Sequence, residues 1–358
     1  MTSPDMAPGQ SAGAPLGGDN MKVAIIKLSA LGDVIHALPV ARALRRARPD
    51  AELTWIVEAR EYALLRDHPD LDRVIPVNTR LWRRLIWRPS GAREVWGKVG
   101  RLRTRVRGAR FDVALDLQGL FKSGVLTAYT GAGLRIGFSA SHCRERLNAL
   151  FTNRHVTPPP QAVHVVEQYL SLLEPLGLGA VAPEFHLPVR PAAERAMDDF
   201  LAEHGLKPRD RLVALNPGAG RSEKRWPVAH FRELAERLGA EAGARLLLLW
   251  GPDEAHMARQ IATGLGSRAV LAPPTDLDEL TALLRRCSVM VAGDTGPLHL
   301  AAAVGTPCLG LFGPTRAERN GPYGPRSRGL QSPDGTMAGL APSTALAAAQ
   351  GLLDQARS

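Results

Sequence analysis

Two successive series of short apolar runs, separated by amphipathic stretches, restrict the fold of this chain more than any other feature. In the first series, residues 22–28, 52–57, 73–77, 111–115 and 134–138 read as strands, with helical segments between them. In the second, residues 211–215, 245–250, 268–271, 288–292 and 307–311 do the same, and helices start near Val228, Asp253 and Asp276. Apolar runs of this length are strands buried on both faces, and their alternation with helices argues for parallel sheets covered on both sides. Residues 176–191 are rich in Pro, Gly and Ala with weak periodicity, which marks a domain boundary. The expected architecture is α/β, with two Rossmann-like domains over residues 21–180 and 190–341 whose parallel sheets face a central cleft. A disordered Pro-, Gly- and Ser-rich leader, residues 1–20, precedes them and an amphipathic C-terminal helix, residues 342–358, follows.

The chain has 358 residues, 45% hydrophobic and 22% charged, which is a soluble globular composition without an apolar run long enough to span a membrane. Residues 1–20 have neither a basic start nor an apolar centre, so they do not read as a secretory signal. Cys143, Cys287 and Cys308 show no metal spacing and no framework of pairs, as expected of a cytoplasmic protein. The net charge of +10 is concentrated: residues 80–110 hold ten Arg and Lys98 against the one acid Glu94, interleaved with Trp82, Trp87 and Trp96. Such a patch suits a polyanion, whether nucleic acid, an anionic membrane surface or a substrate rich in phosphate and carboxylate. A solvated helix face accounts for the charge but not for its one-sidedness.

The strand ends carry the chemistry. The strand at 288–292 stops at Gly293-Asp294-Thr295-Gly296, and a small-residue helix starts at about Pro297 and carries His299. A strand feeding straight into a helix leaves first-turn N–H groups free, and with the helix dipole they form an anion site. An ordinary turn capped by Thr295 or Asp294 is the competing reading. Residues 216–227 (NPGAGRSEKRWP) form a second polar loop, in which Gly218 and Gly220 allow close approach of a ligand and Lys224 is a mobile charge suited to phosphate. A third strand end, around Glu254, offers a carboxylate for ribose hydroxyls. In the first half, Ser29-Ala-Leu-Gly32-Asp33 ends the first strand, and Asp33 is placed either to cap the following helix or to act as a base.

In this order the loops resemble those of the lipopolysaccharide heptosyltransferases, inverting glycosyltransferases of the two-Rossmann GT-B fold. The motifs are residues 27–36 (KLSALGDVIH), 116–123 (DLQGLFKS), 224–227 (KRWP), 294–299 (DTGPLH) and 312–315 (FGPT). Residues 73–77 followed by 80–84 (RLWRR) look most like the heptosyltransferase I branch, which transfers L-glycero-D-manno-heptose from ADP-heptose to Kdo of the lipid A core. The resemblance implies Asp33 as catalytic base and Lys224 as its partner at the leaving group. It implies donor contacts from Ser29, Gly32, Gly218, Ala219, Gly220, Glu254, Asp294, Thr295, Gly296 and His299. Acceptor contacts are implied for Lys27, Arg80, Arg83, Arg84, Gln118, Lys122 and Arg144. No cofactor and no metal are implied, and the expected location is the cytoplasm, peripheral on the inner face of the inner membrane. Two departures stand out: Ala219 and Gly220 replace donor-loop hydroxyl residues, and Gln168 replaces an arginine.

Two other readings compete. A heptosyltransferase II or another family member would share every donor motif and differ in its acceptor sugar. A nucleic-acid-binding protein would use the basic stretch but leave the three strand-end loops without purpose. A dinucleotide oxidoreductase would need Gly-x-Gly-x-x-Gly after the first strand, which residues 29–33 do not supply.

Overall fold

The computed structural model of the chain describes residues 20–79, 91–179 and 181–355. The first sheet has six parallel strands: β1 (Lys22–Ile26), β2 (Glu52–Glu58), β3 (Arg73–Val77), β4 (Val113–Asp116), β5 (Leu134–Phe138) and β6 (Arg154–Val156). Their order is β3-β2-β1-β4-β5-β6. The second has β7 (Leu212–Asn216), β8 (Arg245–Leu248), β9 (Ala269–Leu271), β10 (Val289–Gly293), β11 (Cys308–Phe312) and β12 (Ser327–Gln331). Its order, β12-β11-β10-β7-β8-β9, is the same winding repeated. Each half starts in the middle of its sheet, runs to one edge, and returns to build the other edge. That reversal is where open α/β sheets bind ligands. Register puts the switch-point strands level: Ile26 lies opposite Asp116, and Ala292 opposite Asn216.

The expected strands are all present, and each sheet gains an edge strand that the apolar-run criterion missed. β6 is only Arg-His-Val with Arg154 and His155 exposed, and β12 is largely exposed, so neither produces a buried run. Between the short 3-10 turn Glu174–Leu176 and the helix Pro191–Glu203 the described residues form no helix or strand, where the boundary was expected.

Among the described residues, twelve α-helices flank these strands. The first half carries α1 (Leu31–Ala47), α2 (Tyr62–Leu65), α3 (Gly91–Gly108), α4 (Phe121–Tyr129) and α5 (Val165–Ser171). The second carries α6 (Pro191–Glu203), α7 (Val228–Glu241), α8 (Ala255–Ala262), α9 (Leu277–Arg285), α10 (Gly296–Ala303), α11 (Ala317–Asn320) and α12 (Pro342–Gln355). One apolar core is continuous through both halves. Val34, Leu38 and Ala41 of α1 and Val166 and Leu170 of α5 belong to the same cluster as Leu298, Leu300 and Ala301 of α10. A second cluster fills the face of the second sheet under α7 and α12, and a third fills the outer face of the first sheet under α3 and α4. The described part of the basic stretch is α3, which buries Leu102 and Val106 one turn apart and exposes Arg101, Arg103, Arg105 and Arg107. Arg80, Arg83 and Arg84 lie outside the described residues.

The loop after β4 is organised by a buried carboxylate. Asp116 is fully buried, and its Oδ1 accepts the N–H groups of Gln118 (2.9 Å) and Gly119 (3.1 Å). Its Oδ2 accepts from Asn148 Nδ2 (2.7 Å) and Thr127 Oγ1 (3.2 Å). Burial raises this carboxyl above the usual range, and the donors oppose the rise. Asn148 also donates to Leu120 O (2.8 Å), pinning the 3-10 helix Arg146–Phe151 against α4. Replacing Asn148 with Ala leaves a buried carboxylate short of a donor, so stability should fall by about 1–3 kcal/mol, read as a lower urea midpoint at unchanged m-value. An unchanged midpoint would show that Asn148 holds nothing in place.

Candidate functional site

The two helices that leave the central strands of the two halves start at the same place. α1 packs along α10, and each helix start has a glycine where the other domain presses in. A Cβ on Gly32 would lie 2.5 Å from His299 Cδ2, and one on Gly296 would lie 2.6 Å from Leu31 Cδ2. Around this contact opens a cavity of about 600 Å³, lined from the first half by Lys27, Gly32, Asp33, Gln118 and Arg144. The second half lines it with Arg221, Lys224, Asp294, Thr295, Gly296 and His299.

On the first side, Asp33 sits in the first turn of α1 and accepts the Ala30 N–H at 3.2 Å, so it does cap the helix. Capping uses one oxygen; Oδ1 lies 3.9 Å from Lys27 Nζ, and the side chain is 36% exposed. Lys27 by contrast is buried: its ammonium donates to Leu117 O (3.2 Å) and Tyr169 OH (2.5 Å). Burial lowers the Lys27 pKa, opposed by the charges of Asp33 and Asp116. Burial, reinforced by the Asp33 charge, pushes the Tyr169 hydroxyl well above its ordinary value, so it stays a neutral phenol beside the carboxylate. Gln118 Oε1 accepts the N–H groups of Leu28 (2.9 Å) and Ser29 (3.2 Å), which ties the loops after β1 and β4 together.

On the second side, a chain of charge runs along the floor. Lys224 Nζ lies 2.5 Å from Asp294 Oδ2, and Asp294 Oδ1 lies 3.1 Å from His299 Nε2. Burial alone would raise the Asp294 carboxyl; the His299 and then Lys224 contacts outweigh it and hold it well below the usual carboxylate range. Thr295 is the N-cap of α10, yet its side chain makes no capping bond; its Oγ1 accepts from Asn216 Nδ2 at 3.4 Å. The first-turn N–H groups of α10 are thus left without a side-chain cap beside Thr295 and Gly296, both in the cavity wall.

The remaining expected residues stand in a second tier. The missing Cβ of Gly218 is filled by Glu254, whose carboxylate oxygen would be 1.9 Å from it, so at Gly218 the smallness serves Glu254. Gly220 has open space around it. Glu254 accepts the Gly251 N–H (3.1 Å) and pairs with Arg225 (3.5 Å), which also donates to Ala219 O (3.0 Å). These residues continue from Thr295 through Asn216, which donates to Gly218 O at 3.1 Å, but they do not line the cavity itself. Ser29 does not line it either, and Lys122 is held away by Glu58 (3.5 Å) and Thr79 (3.2 Å).

Several residues of the cleft had no role in the sequence. His36 of α1 packs edge-on against His299 (centroids 4.2 Å) and His164 (5.3 Å), and His164 Nε2 lies 2.9 Å from Gly321 O. Burial, then the neighbouring His299 and His164, hold His36 well below the usual histidine pKa. Arg319 of α11 lines the cavity and donates to Gln168 Oε1 at 3.4 Å. His36 stood inside a recognised motif; Tyr169 and Arg319 carried no local signal, because their partners come from distant segments.

Residues 99–349 match the sequence profile of glycosyltransferase family 9 (heptosyltransferase). The chain is 36% identical over 314 residues to lipopolysaccharide heptosyltransferase 1 of Pseudomonas aeruginosa, covering 85% of this chain and 82% of that one. Lipopolysaccharide heptosyltransferase 2 of Salmonella typhimurium is 26% identical over 318 residues, 86% of this chain and 87% of that one. Among solved structures, the E. coli heptosyltransferase WaaC with ADP superposes at a TM-score of 0.76, with 27% identity over 94% of this chain and 100% of that one. The same enzyme with ADP-2-deoxy-2-fluoro heptose gives a TM-score of 0.73 at 28% identity over 94% and 99%. With two parallel six-stranded sheets of one winding and a cleft between their switch points, this chain has the GT-B fold and belongs to glycosyltransferase family 9, the heptosyltransferases.

Proposed function

We propose that the protein is an inverting heptosyltransferase that moves L-glycero-D-manno-heptose from ADP-heptose to a Kdo residue of the lipopolysaccharide inner core. One observation carries the reading: a half-buried carboxylate, Asp33, shares one cavity with a lysine, Lys224, and an uncapped helix start. Asp33 takes the proton of the acceptor hydroxyl, whose oxygen attacks the anomeric carbon as the bond to the diphosphate breaks. Lys27 Nζ lies 3.9 Å from the Asp33 carboxylate, so a buried positive charge stands beside the proposed base. The ADP leaving group gathers negative charge at Lys224 and the α10 N-terminus, which need no reorganisation to receive it. Asp294 and His299 hold Lys224 in place, and Glu254 is proposed to take the ribose. The type 1 acceptor is favoured over type 2 by the higher identity to the type 1 relative. The E. coli neighbour's ADP and ADP-heptose analogue support the donor assignment. Incubation with ADP-heptose and a panel of Kdo-containing lipid A precursors, followed by mass spectrometry, tests this reading; no heptose added to any of them would overturn it.

The acceptor is proposed to dock through Arg144, Gln118 and the basic stretch that includes Arg80, Arg83 and Arg84, at an inner-membrane surface. No helix among the described residues is long and apolar enough to cross a membrane, so contact with the lipid is proposed to be peripheral, through charge.

Three outcomes are expected. Asp33→Asn should cut turnover by about a hundredfold or more, the scale of lost general-base catalysis, while ADP binding by calorimetry stays close to wild type. Near-normal turnover would reduce Asp33 to a helix cap. Alanine at Arg80, Arg83 and Arg84 together should raise the acceptor KM and leave the donor KM nearly unmoved; the reverse pattern would exchange the roles of the two halves. Turnover should persist in excess EDTA because Lys224 and the helix N-terminus already neutralise the leaving group. NMR of the product should show an inverted anomeric linkage, as a single displacement requires. Loss in EDTA with rescue by magnesium, or a retained linkage, would refute that step.

A further inference from the structure

Among the described residues, Leu150 (76% exposed), Leu147 (59%) and Phe121 (48%) are the most exposed large apolar side chains, and they share one site. Leu147 and Leu150 are three residues apart on the 3-10 helix Arg146–Phe151, where side chains at that spacing eclipse and point the same way. Phe121 begins α4 and stacks edge-on with Phe151 at 5.2 Å. The platform beneath is rigid. Asn148 fastens the 3-10 helix to Asp116 and Leu120, and Gly124 admits the Phe151 ring so closely that a Cβ there would lie 2.5 Å from it. Leaving two leucines facing water lowers solubility unless something covers them, and clusters of this kind mark interaction surfaces.

The charge around the cluster says what covers it. Arg144, Arg146 and Arg154 are exposed and have no carboxylate partner among the described residues. The nearby acid, Glu145, is taken up by the Phe121 N–H at 2.6 Å. α3, with Arg101, Arg103, Arg105 and Arg107 exposed, adds further positive charge to the same layer of the first sheet at the far end of α4, where Arg103 lies over the Tyr129 ring. An apolar tip ringed by unpaired arginines suits an anionic bilayer surface, where leucine enters the acyl boundary and arginine meets lipid phosphate. The position also fits: Arg144 lines the cavity, three residues before Leu147.

We propose that Leu147, Leu150 and Phe121 form a membrane-docking tip that enters an anionic phospholipid surface and holds the acceptor side of the cleft against it. The proposal rests on the lipid-linked acceptor proposed above, although binding to vesicles can be measured without any substrate. The full chain is sedimented with phosphatidylcholine vesicles that contain about a third phosphatidylglycerol, and with phosphatidylcholine alone. Leu147→Ser combined with Leu150→Ser should weaken binding to the anionic vesicles about tenfold or more. Leu147→Met with Leu150→Met should retain it, because methionine keeps the apolar contact. Arg146→Gln with Arg154→Gln should weaken binding and flatten its salt dependence. Transfer of heptose to a short, lipid-free acceptor should be the same in the serine variant as in wild type, and its thermal midpoint should not move. Serine substitutions that leave vesicle binding unchanged would overturn the tip. So would a serine variant that turns a dimer into a monomer in light scattering with vesicle binding intact, since the cluster would then be a self-association surface. Absence of heptose transfer to every acceptor, with vesicle binding still lost in the serine variant, would instead overturn the proposed function and leave the tip standing.

Discussion

The close approach of two helix starts across the domain boundary is the constraint on which the site depends. α1 and α10 each leave the central region of a parallel sheet, and each must come within side-chain contact of the other for the shared apolar core to close. Gly32 and Gly296 are the residues that permit it, since a methyl group at either would overlap His299 or Leu31. A consequence is that both N-termini open on one cavity. One presents a carboxylate, Asp33, and the other presents N–H groups without a side-chain cap, so a negative group and an anion-favouring helix start share one cavity.

The charges in that cavity are organised as two separate sets. Lys27 is withdrawn behind Asp33, bonded to Leu117 and Tyr169, so its charge acts on the carboxylate instead of reaching out as a free ligand. Lys224 is restrained by Asp294, which is itself restrained by His299. Fixing each lysine through a partner limits rotamer freedom, and a fixed charge responds to a developing anion without the cost of ordering a long side chain. The histidine cluster of His36, His164 and His299 has a different character: burial keeps His36 neutral, which lets aromatic packing cross the boundary without adding a third charge beside the two lysines.

Glycine carried a mixed message. Gly220 stands open, in keeping with close approach of a ligand, whereas Gly218 is small because the Glu254 carboxylate lies against it. Both uses leave the same letter in the sequence, and only the position of Glu254 separates them. The outer strands tell a similar story, since β6 and β12 are polar and exposed where the inner strands are apolar runs.

What the sequence determined by itself is local. Buried strands such as residues 22–28 and 288–292 announce themselves through unbroken apolar runs, and the loops that follow them, with Asp33, Lys224 and residues 294–299, must then lie at strand ends, where open α/β sheets have their cleft. What only the tertiary structure decided is who meets whom. Lys27 and Tyr169 bond across 142 residues, and Lys224 reaches Asp294 across 70. His36 meets His299 only because two separately folded helices are brought together. No periodicity records such contacts, because periodicity reports which face of an element is buried and never which element lies on the other side.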